Sequence, residues 1–153
     1  MSLSLQARSS CAGAGRAESR APEPSAPARE FSILYVEEAA AVADAVRETL
    51  EASGWRVEVC ARGDEALRRL GDGARFDLLI LDYALPGLDG VELARQARRL
   101  PRAAGRPIIM FTACEVEREA RRAGVDEYLR KPRGVYSLAG TAARLLARQA
   151  TKE

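Results

Sequence analysis

The chain contains no histidine. Ser-His-Asp and Cys-His catalysis are thereby excluded, and the commonest zinc sites lose their usual ligand. Cysteine is scarce: Cys11, Cys60 and Cys114 are an odd number with no metal-ligand spacing. That points to a reducing compartment rather than a disulfide framework. No apolar run approaches the length that spans a bilayer, so no membrane segment is expected. A charged-then-apolar leader is missing as well, and a cytoplasmic location is the expectation. Neither sign of charge dominates: 24 basic against 22 acidic residues leave +2. A dedicated polyanion binder is usually far more basic, so direct nucleic-acid binding is not expected. What the 153 residues do hold is 47% hydrophobic and 30% charged side chains, the balance of one globular domain.

Composition changes near Glu30. Residues 1–30 carry 7 Ala, 6 Ser, 3 Pro, 2 Gly and 4 Arg, with no aromatic and no β-branched residue. Such a segment cannot bury enough apolar area to offset its chain entropy, and a disordered tail is expected there. The domain is expected over 31–149, with 150–153 as a short C-terminal tail.

From Phe31 onward short apolar runs alternate with helix-length segments. Phe31 to Val36 is rich in β-formers and stops at Glu37-Glu38. Ala39 to Ser53 carries Val42, Ala45, Val46, Thr49 and Leu50 at helical spacing, closed by Gly54. Trp55, Val57 and Val59 alternate with Arg56 and Glu58, the period of a half-exposed edge strand. Asp64 to Leu70 reads as a short helix. Leu78 to Leu81 is continuously apolar, as suits a strand buried on both faces, and ends at Asp82. Asp89 and Glu92 have the spacing of a helix N-cap and its third residue, opening a helix to about Leu100. Pro107 to Phe111 is a fourth strand ending at Thr112. Glu115 to Ala123 is a helix, Asp126 to Arg130 a fifth strand ending at Lys131-Pro132, and Ser137 to about Arg148 the last helix.

Five strands alternating with five helices predict an α/β fold, doubly wound about a five-stranded parallel sheet. The edge-like second strand favours the flavodoxin-like order 2-1-3-4-5. Ligands bind such sheets outside the carboxyl ends of the strands. Four central strands end in Glu37-Glu38, Asp82, Thr112 and Lys131, so carboxylates, a hydroxyl and an ammonium are expected to share one crevice. Two like charges about 4 Å apart repel by roughly 4 kcal/mol at an effective dielectric near 20. Three carboxylates beside one ammonium therefore call for a hard divalent cation, and Mg²⁺ suits a few carboxylates plus phosphate oxygens. Asp82, beside a metal and a lysine, has the surroundings of a carboxylate that attacks phosphorus.

This ordered set resembles the receiver domain of two-component response regulators. The family has an acid pair after the first strand, a phospho-accepting Asp after the third, Thr or Ser after the fourth and Lys-Pro after the fifth. Here the motifs read ILYVEE, LLILDYALPGLDG, IIMFTA and EYLRKP, and the resemblance covers residues 32 to about 149. It implies that Asp82 accepts a phosphoryl group from a histidine kinase or phosphotransfer protein. Glu38, Asp82 and the backbone carbonyl of Ala84 would ligate Mg²⁺, with Glu37 acting through water. Lys131 would pair with a carboxylate or phosphoryl oxygen. Thr112 would turn toward the phosphoryl group, with Tyr128 following as the switch aromatic. Ala113 would guard access, and Pro86 and Gly90 would shape the loop after the acceptor. A downstream effector protein is the implied reader of the switch, and a homodimer is compatible with it.

The sequence departs from the family pattern at four places. The acid pair is Glu-Glu, one methylene longer at each position. Ala39-Ala40 stand where an acid and a proline usually open the first helix. The stretch from Thr112 to Gly124 is short by about one helical turn, so a shortened fourth helix is expected. Arg133 follows Lys131-Pro132 where an aromatic is usual. These departures leave an alternative open, a pseudo-receiver that binds partners without phosphorylation. A small phosphatase or flavin carrier on the same topology fits less well. The first strand is followed by no Asp-x-Asp, and two carboxylates there would repel a flavin phosphate. Cys60 reads as packing, Cys114 as a small side chain near the crevice. The pairs Arg68-Arg69, Arg98-Arg99 and Arg121-Arg122 read as solvated helix faces.

Overall fold

The computed structural model describes residues 29–152, so the tail expected over 1–30 lies almost wholly outside the described residues. Its last two residues belong to the domain: Arg29 pairs with Asp77 at 2.7 Å and Glu30 with Arg56 at 3.0 Å. Five parallel strands run in the order β2-β1-β3-β4-β5, with β1 Ser32–Val36, β2 Arg56–Cys60, β3 Leu78–Leu81, β4 Ile108–Thr112 and β5 Glu127–Arg130. The helices between and after them are α1 Ala40–Glu51, α2 Gly63–Gly71, α3 Gly90–Ala97, α4 Glu117–Arg122 and α5 Val135–Lys152.

Strand alternation divides the core into two layers. Leu34, Val36, Leu79, Leu81, Ile108 and Met110 face α2, α3 and α4, where Leu70, Leu93 and Ala120 meet them. Ile33, Tyr35, Leu78, Ile80, Ile109 and Phe111 face α1 and α5, where Val46, Leu50, Leu138 and Leu145 meet them. The central strands β1 and β3 are enclosed on both sides, and every residue of β3 is fully buried. Removing one such Leu or Ile side chain from water contributes about 1.5–3 kcal/mol. The layers therefore fix the sheet firmly, and the loops at its carboxyl rim inherit that fixed frame.

Several boundaries differ from the sequence pattern. In α1 the buried stripe is Ala43, Val46 and Leu50, whereas Val42, Ala45 and Thr49 are exposed. The apolar spacing is wider than the strip of sheet α1 covers. Its outer edge, Val42 and Ala45, lines an apolar groove toward Phe111, Pro132 and Val135 instead. The fourth helix is shorter still than expected, because Glu115 and Val116 stay outside it and Val116 offers no capping side chain. The last helix is longer. It starts at Val135, entered through turn bonds from Val135, Tyr136 and Ser137 to the carbonyls three residues before each. It continues to Lys152, because no glycine or proline stops it after Arg148, so the expected tail at 150–153 is helical through Lys152. Asp89 does cap α3: its side chain accepts from the Glu92 N–H at 2.9 Å.

Candidate functional site

The carboxyl ends of β1, β3, β4 and β5 lie side by side, as the strand order requires. Asp82 follows β3 and is 8% exposed; Glu37 follows β1 and is 3% exposed. Between them sits the ammonium of Lys131, which donates to Glu37 Oε2 and, at 3.2 Å, to Asp82 Oδ2. The same ammonium lies 5.3 Å from the centre of the Phe111 ring, a cation–π distance. Lys131 is carried to this point by its own backbone, whose N–H donates to the Thr112 carbonyl at 3.0 Å and extends the β4–β5 ladder by one rung. The Lys131-Pro132 peptide that follows is cis.

The remaining lone pairs of the two acids have different fates. Glu37 is the more heavily engaged: Oε1 accepts from the Ala39 N–H at 3.0 Å, and Oε2 accepts from the Tyr35 hydroxyl at 3.1 Å as well as from Lys131. Asp82 Oδ1 accepts only from the N–H of Tyr83 at 2.7 Å. Asp82 is thus buried yet has acceptor capacity left at the rim.

Of the three carboxylates expected to converge, two are together. Glu38 is exposed. Consecutive residues leave a strand on opposite sides, so once Glu37 turns in to Lys131, Glu38 faces solvent. Its charge is felt at Arg62, whose guanidinium is raised in pKa mainly by its hydrogen bond and pairing with Asp64 and, least, by Glu38. Among the described residues no group of three His, Cys, Asp or Glu side chains stands close enough to hold a metal ion. Ala84, whose carbonyl was named as a ligand, lies on the exposed loop after Asp82.

Thr112 is fully buried and its Oγ1 accepts from the Cys114 N–H at 3.2 Å. Tyr128, half-buried on β5, bonds the same loop: its hydroxyl donates to the Cys114 carbonyl and accepts from the Val116 N–H at 3.2 Å. The hydroxyls of Thr112 and Tyr128 thus hold the segment between β4 and α4 from two sides. Cys114 is only partly buried, while burial pushes the Cys60 thiol up to about 11 and leaves it inert at neutral pH.

The loop after Asp82 is shaped by two glycines. A Cβ on Gly90 would meet the Asp82 carbonyl oxygen at 2.0 Å, and one on Gly63 would meet the Leu88 carbonyl oxygen at 1.9 Å. Gly90 also donates to the Tyr83 carbonyl at 2.9 Å, and the carbonyl of Pro86 accepts from Gly63 at 3.1 Å. Gly63 and Tyr35 had not stood out in the sequence. The signal for Tyr35 was one polar tip in an otherwise aliphatic buried strand, two residues before the acid pair.

A family model described as the response regulator receiver domain matches residues 33–141. The chain belongs to this family. The receiver domain is 45% identical over 103 residues to the phosphate regulon transcriptional regulatory protein PhoB of Rhizobium meliloti, covering 65% of this chain and 45% of that protein. It is 37% identical over 106 residues to the transcriptional regulatory protein ResD of Bacillus subtilis, covering 67% and 42%. The chain therefore spans less than half the length of these curated relatives. Among solved structures it is similar to a CheY-like receiver domain of Methanospirillum hungatei, with a TM-score of 0.74 and 29% identity over 82% of this chain and all of that one. It is also similar to the receiver domain of the sensor histidine kinase PA1611 of Pseudomonas aeruginosa, solved with a magnesium ion in its active-site cleft. There the TM-score is 0.71 and the identity 29%, over 78% of this chain and 99% of that one.

Proposed function

We propose that this receiver domain accepts a phosphoryl group on Asp82 from the phosphohistidine of a histidine kinase or phosphotransfer protein, and that the phosphorylated form changes its affinity for a downstream effector. The observation that carries this reading is the Asp82–Lys131–Glu37 cluster: a buried Asp with open acceptor capacity, facing an ammonium held in place by a second acid. In the transfer an Asp82 oxygen attacks phosphorus and the phosphorus–nitrogen bond to the donor imidazole breaks. The imidazole then takes a proton from solvent. Lys131, released from Asp82, pairs with a phosphoryl oxygen.

The donor set suits a hard cation, since every candidate ligand is an oxygen. Two carboxylates and one ammonium leave the buried cluster one negative charge in excess, before Glu38 adds another. Asp82, Glu38 and the Ala84 carbonyl are the residues that would hold Mg²⁺, with Glu37 reaching it through water. Bound there, Mg²⁺ would supply positive charge against the transferring phosphoryl oxygens.

Thr112 can serve the phosphoryl group because its hydroxyl, accepting from Cys114, still has a proton to donate. Turning it toward Asp82 breaks the bond to Cys114. The loop held by Tyr128 then moves, and α4 with it, so that α4 and β5 carry the output. The direct test is exposure of the purified protein to a small acyl-phosphate donor with Mg²⁺, read by intact mass. Addition of one phosphate is expected. No addition, together with no binding of beryllofluoride, would favour the pseudo-receiver alternative, which the outward Glu38 and a Glu37 held by three donors support.

A further inference from the structure

Tyr35 touches the site without any part in the transfer itself. It is fully buried in β1, in register with Val59 of β2 and Ile80 of β3. Its layer is otherwise filled by Ile33, Ile80, Ile109 and Phe111. A phenol in such a layer requires an acceptor for its hydroxyl. Glu37 Oε2 is that acceptor, at 3.1 Å. Burial first, then the charge and hydrogen bond of Glu37, push the Tyr35 hydroxyl far up in pKa, so it remains a donor at any pH the fold survives. Three donors, Tyr35, the Ala39 N–H and Lys131, therefore hold one carboxylate that is 3% exposed. Both oxygens are engaged, and Oε2, with two donors, has no lone pair left for a cation.

We propose that Tyr35 is a positioning residue that reserves Glu37 for Lys131, so that metal binding falls to Glu38 and Asp82. The proposal rests on the reading of this cluster as the phosphoryl site. Without the hydroxyl, Glu37 Oε2 keeps Lys131 as its one partner and the carboxylate can rotate. Lys131 then follows it away from Asp82, while a freed oxygen becomes available to a cation. The two consequences have opposite signs. Mg²⁺ binding tightens and phosphorylation slows. Loss of packing alone gives no such pair.

The chain has only two lysines, Lys131 and Lys152. Protein labelled with ¹³C at the lysine ε-carbon therefore gives two signals. Lys131 is set apart by the Phe111 ring and two carboxylates, while Lys152 lies exposed at the end of α5. In metal-free Tyr35→Phe protein the Lys131 signal is expected to move toward that of Lys152, which stays still. In the same variant the Mg²⁺ dissociation constant is expected to fall, and the rate of phosphorylation by a small acyl-phosphate donor to fall as well. Each change should be about threefold to tenfold, the worth of one hydrogen bond. Glu37→Asp, one methylene shorter, should displace the Lys131 signal with Tyr35 intact and stands in if Tyr35→Phe does not fold. An unmoved Lys131 signal in folded Tyr35→Phe would overturn the proposal, as would Mg²⁺ affinity and phosphorylation that fall together; if Tyr35→Phe does not fold, an unmoved signal in Glu37→Asp would overturn it. If the wild-type protein takes no phosphate, the function proposed above fails, and the metal-free lysine signal still decides the role of Tyr35.

Discussion

Two aspartates bracket the buried strand β3. Asp77 precedes it and Asp82 follows it, and both are 8% exposed. Burial does not tell them apart; their partners do. Asp77 accepts from the Ser32 N–H at 2.9 Å and from Arg29 at 2.7 Å, with Arg106 at 3.8 Å. Its Oδ2 ties it to the start of β1 and its Oδ1 faces two arginines, so it holds the amino-terminal ends of β1 and β3 together. Asp82 has one backbone N–H and a share of one ammonium. The opposite rims of one sheet thus use the same residue type for a clamp and, as proposed, for a phosphoryl acceptor. A buried carboxylate becomes available for chemistry when its surroundings leave it incompletely paired.

The same contrast holds for the arginines. Arg98, expected on a solvated helix face, donates to the carbonyls of Gly124 at 3.0 Å and Ala104 at 2.9 Å and to Asp126 at 2.8 Å. It fastens the end of α3 to the starts of β4 and β5, since Asp126 also accepts from the Ile108 N–H at 2.8 Å. The amino-terminal rim is closed by such pins, and its charges stabilise the frame on which the other rim works.

The sharpest way to break the comparison is to exchange each aspartate for asparagine. Asp82→Asn is expected to lose phosphorylation completely, seen by intact mass, with thermal stability unchanged or higher because one of two facing carboxylates loses its charge. Asp77→Asn is expected to keep phosphorylation and to lose about 2 kcal/mol of stability in urea melts. That is less than the 3–5 typical of a broken buried pair, because Arg29 is half exposed.

Replacing Lys131 by methionine should come next in effect. Glu37 and Asp82 would face each other without a cation. About 2 kcal/mol of stability is expected to be lost, measured in urea melts. Phosphorylation should slow at least tenfold, measured as the rate of mass change.

A smaller effect separates the two glutamates. Glu38→Gln is expected to weaken Mg²⁺ binding several-fold in calorimetry and Glu37→Gln to weaken it less, since Glu37 is turned inward and held by Tyr35, Ala39 and Lys131. Equal losses would remove the distinction drawn between them.

The smallest effect is alkaline. The Tyr35 hydroxyl is raised in pKa by burial, then by the charge and hydrogen bond of Glu37. A raised group favours its protonated form in the fold, so its contribution is fully present below the unfolded value of about 10 and is lost as pH rises above it. Ultraviolet titration should show one tyrosine of the four ionising only as the protein unfolds. Tyr35→Phe should remove that late step.

The topology was legible in the sequence because apolar runs of strand length alternate with segments of helical spacing. A continuously apolar Leu78–Leu81 and an alternating second strand suffice to order the sheet. Asp82, Thr112 and Lys131 could be placed at the rim because a parallel sheet delivers all strand ends to one side. The division between Glu37 and Glu38 was not legible: which of two adjacent acids turns inward depends on Tyr35 and Ala39, a contact outside any pattern of spacing. The ends of α4 and α5 were misjudged for a local reason. Val116 offers no cap, and the residues after Arg148 offer no stop. Arg98 was misread because its five-donor fork serves backbone carbonyls from distant loops, which charge patterning along a helix cannot reveal.

We propose that the partners of a buried aspartate, and not its burial, decide which one reacts. Asp77 and Asp82 lie on the same tryptic peptide, between Arg75 and Arg95, so one experiment judges both. Protein phosphorylated by a small donor with Mg²⁺ is reduced with borohydride, which converts an acyl phosphate to a stable alcohol, and the peptide is fragmented. Homoserine is expected at position 82 and unmodified aspartate at position 77. Homoserine at 77, or a reduced side chain at Glu37 with Asp82 intact, would contradict it.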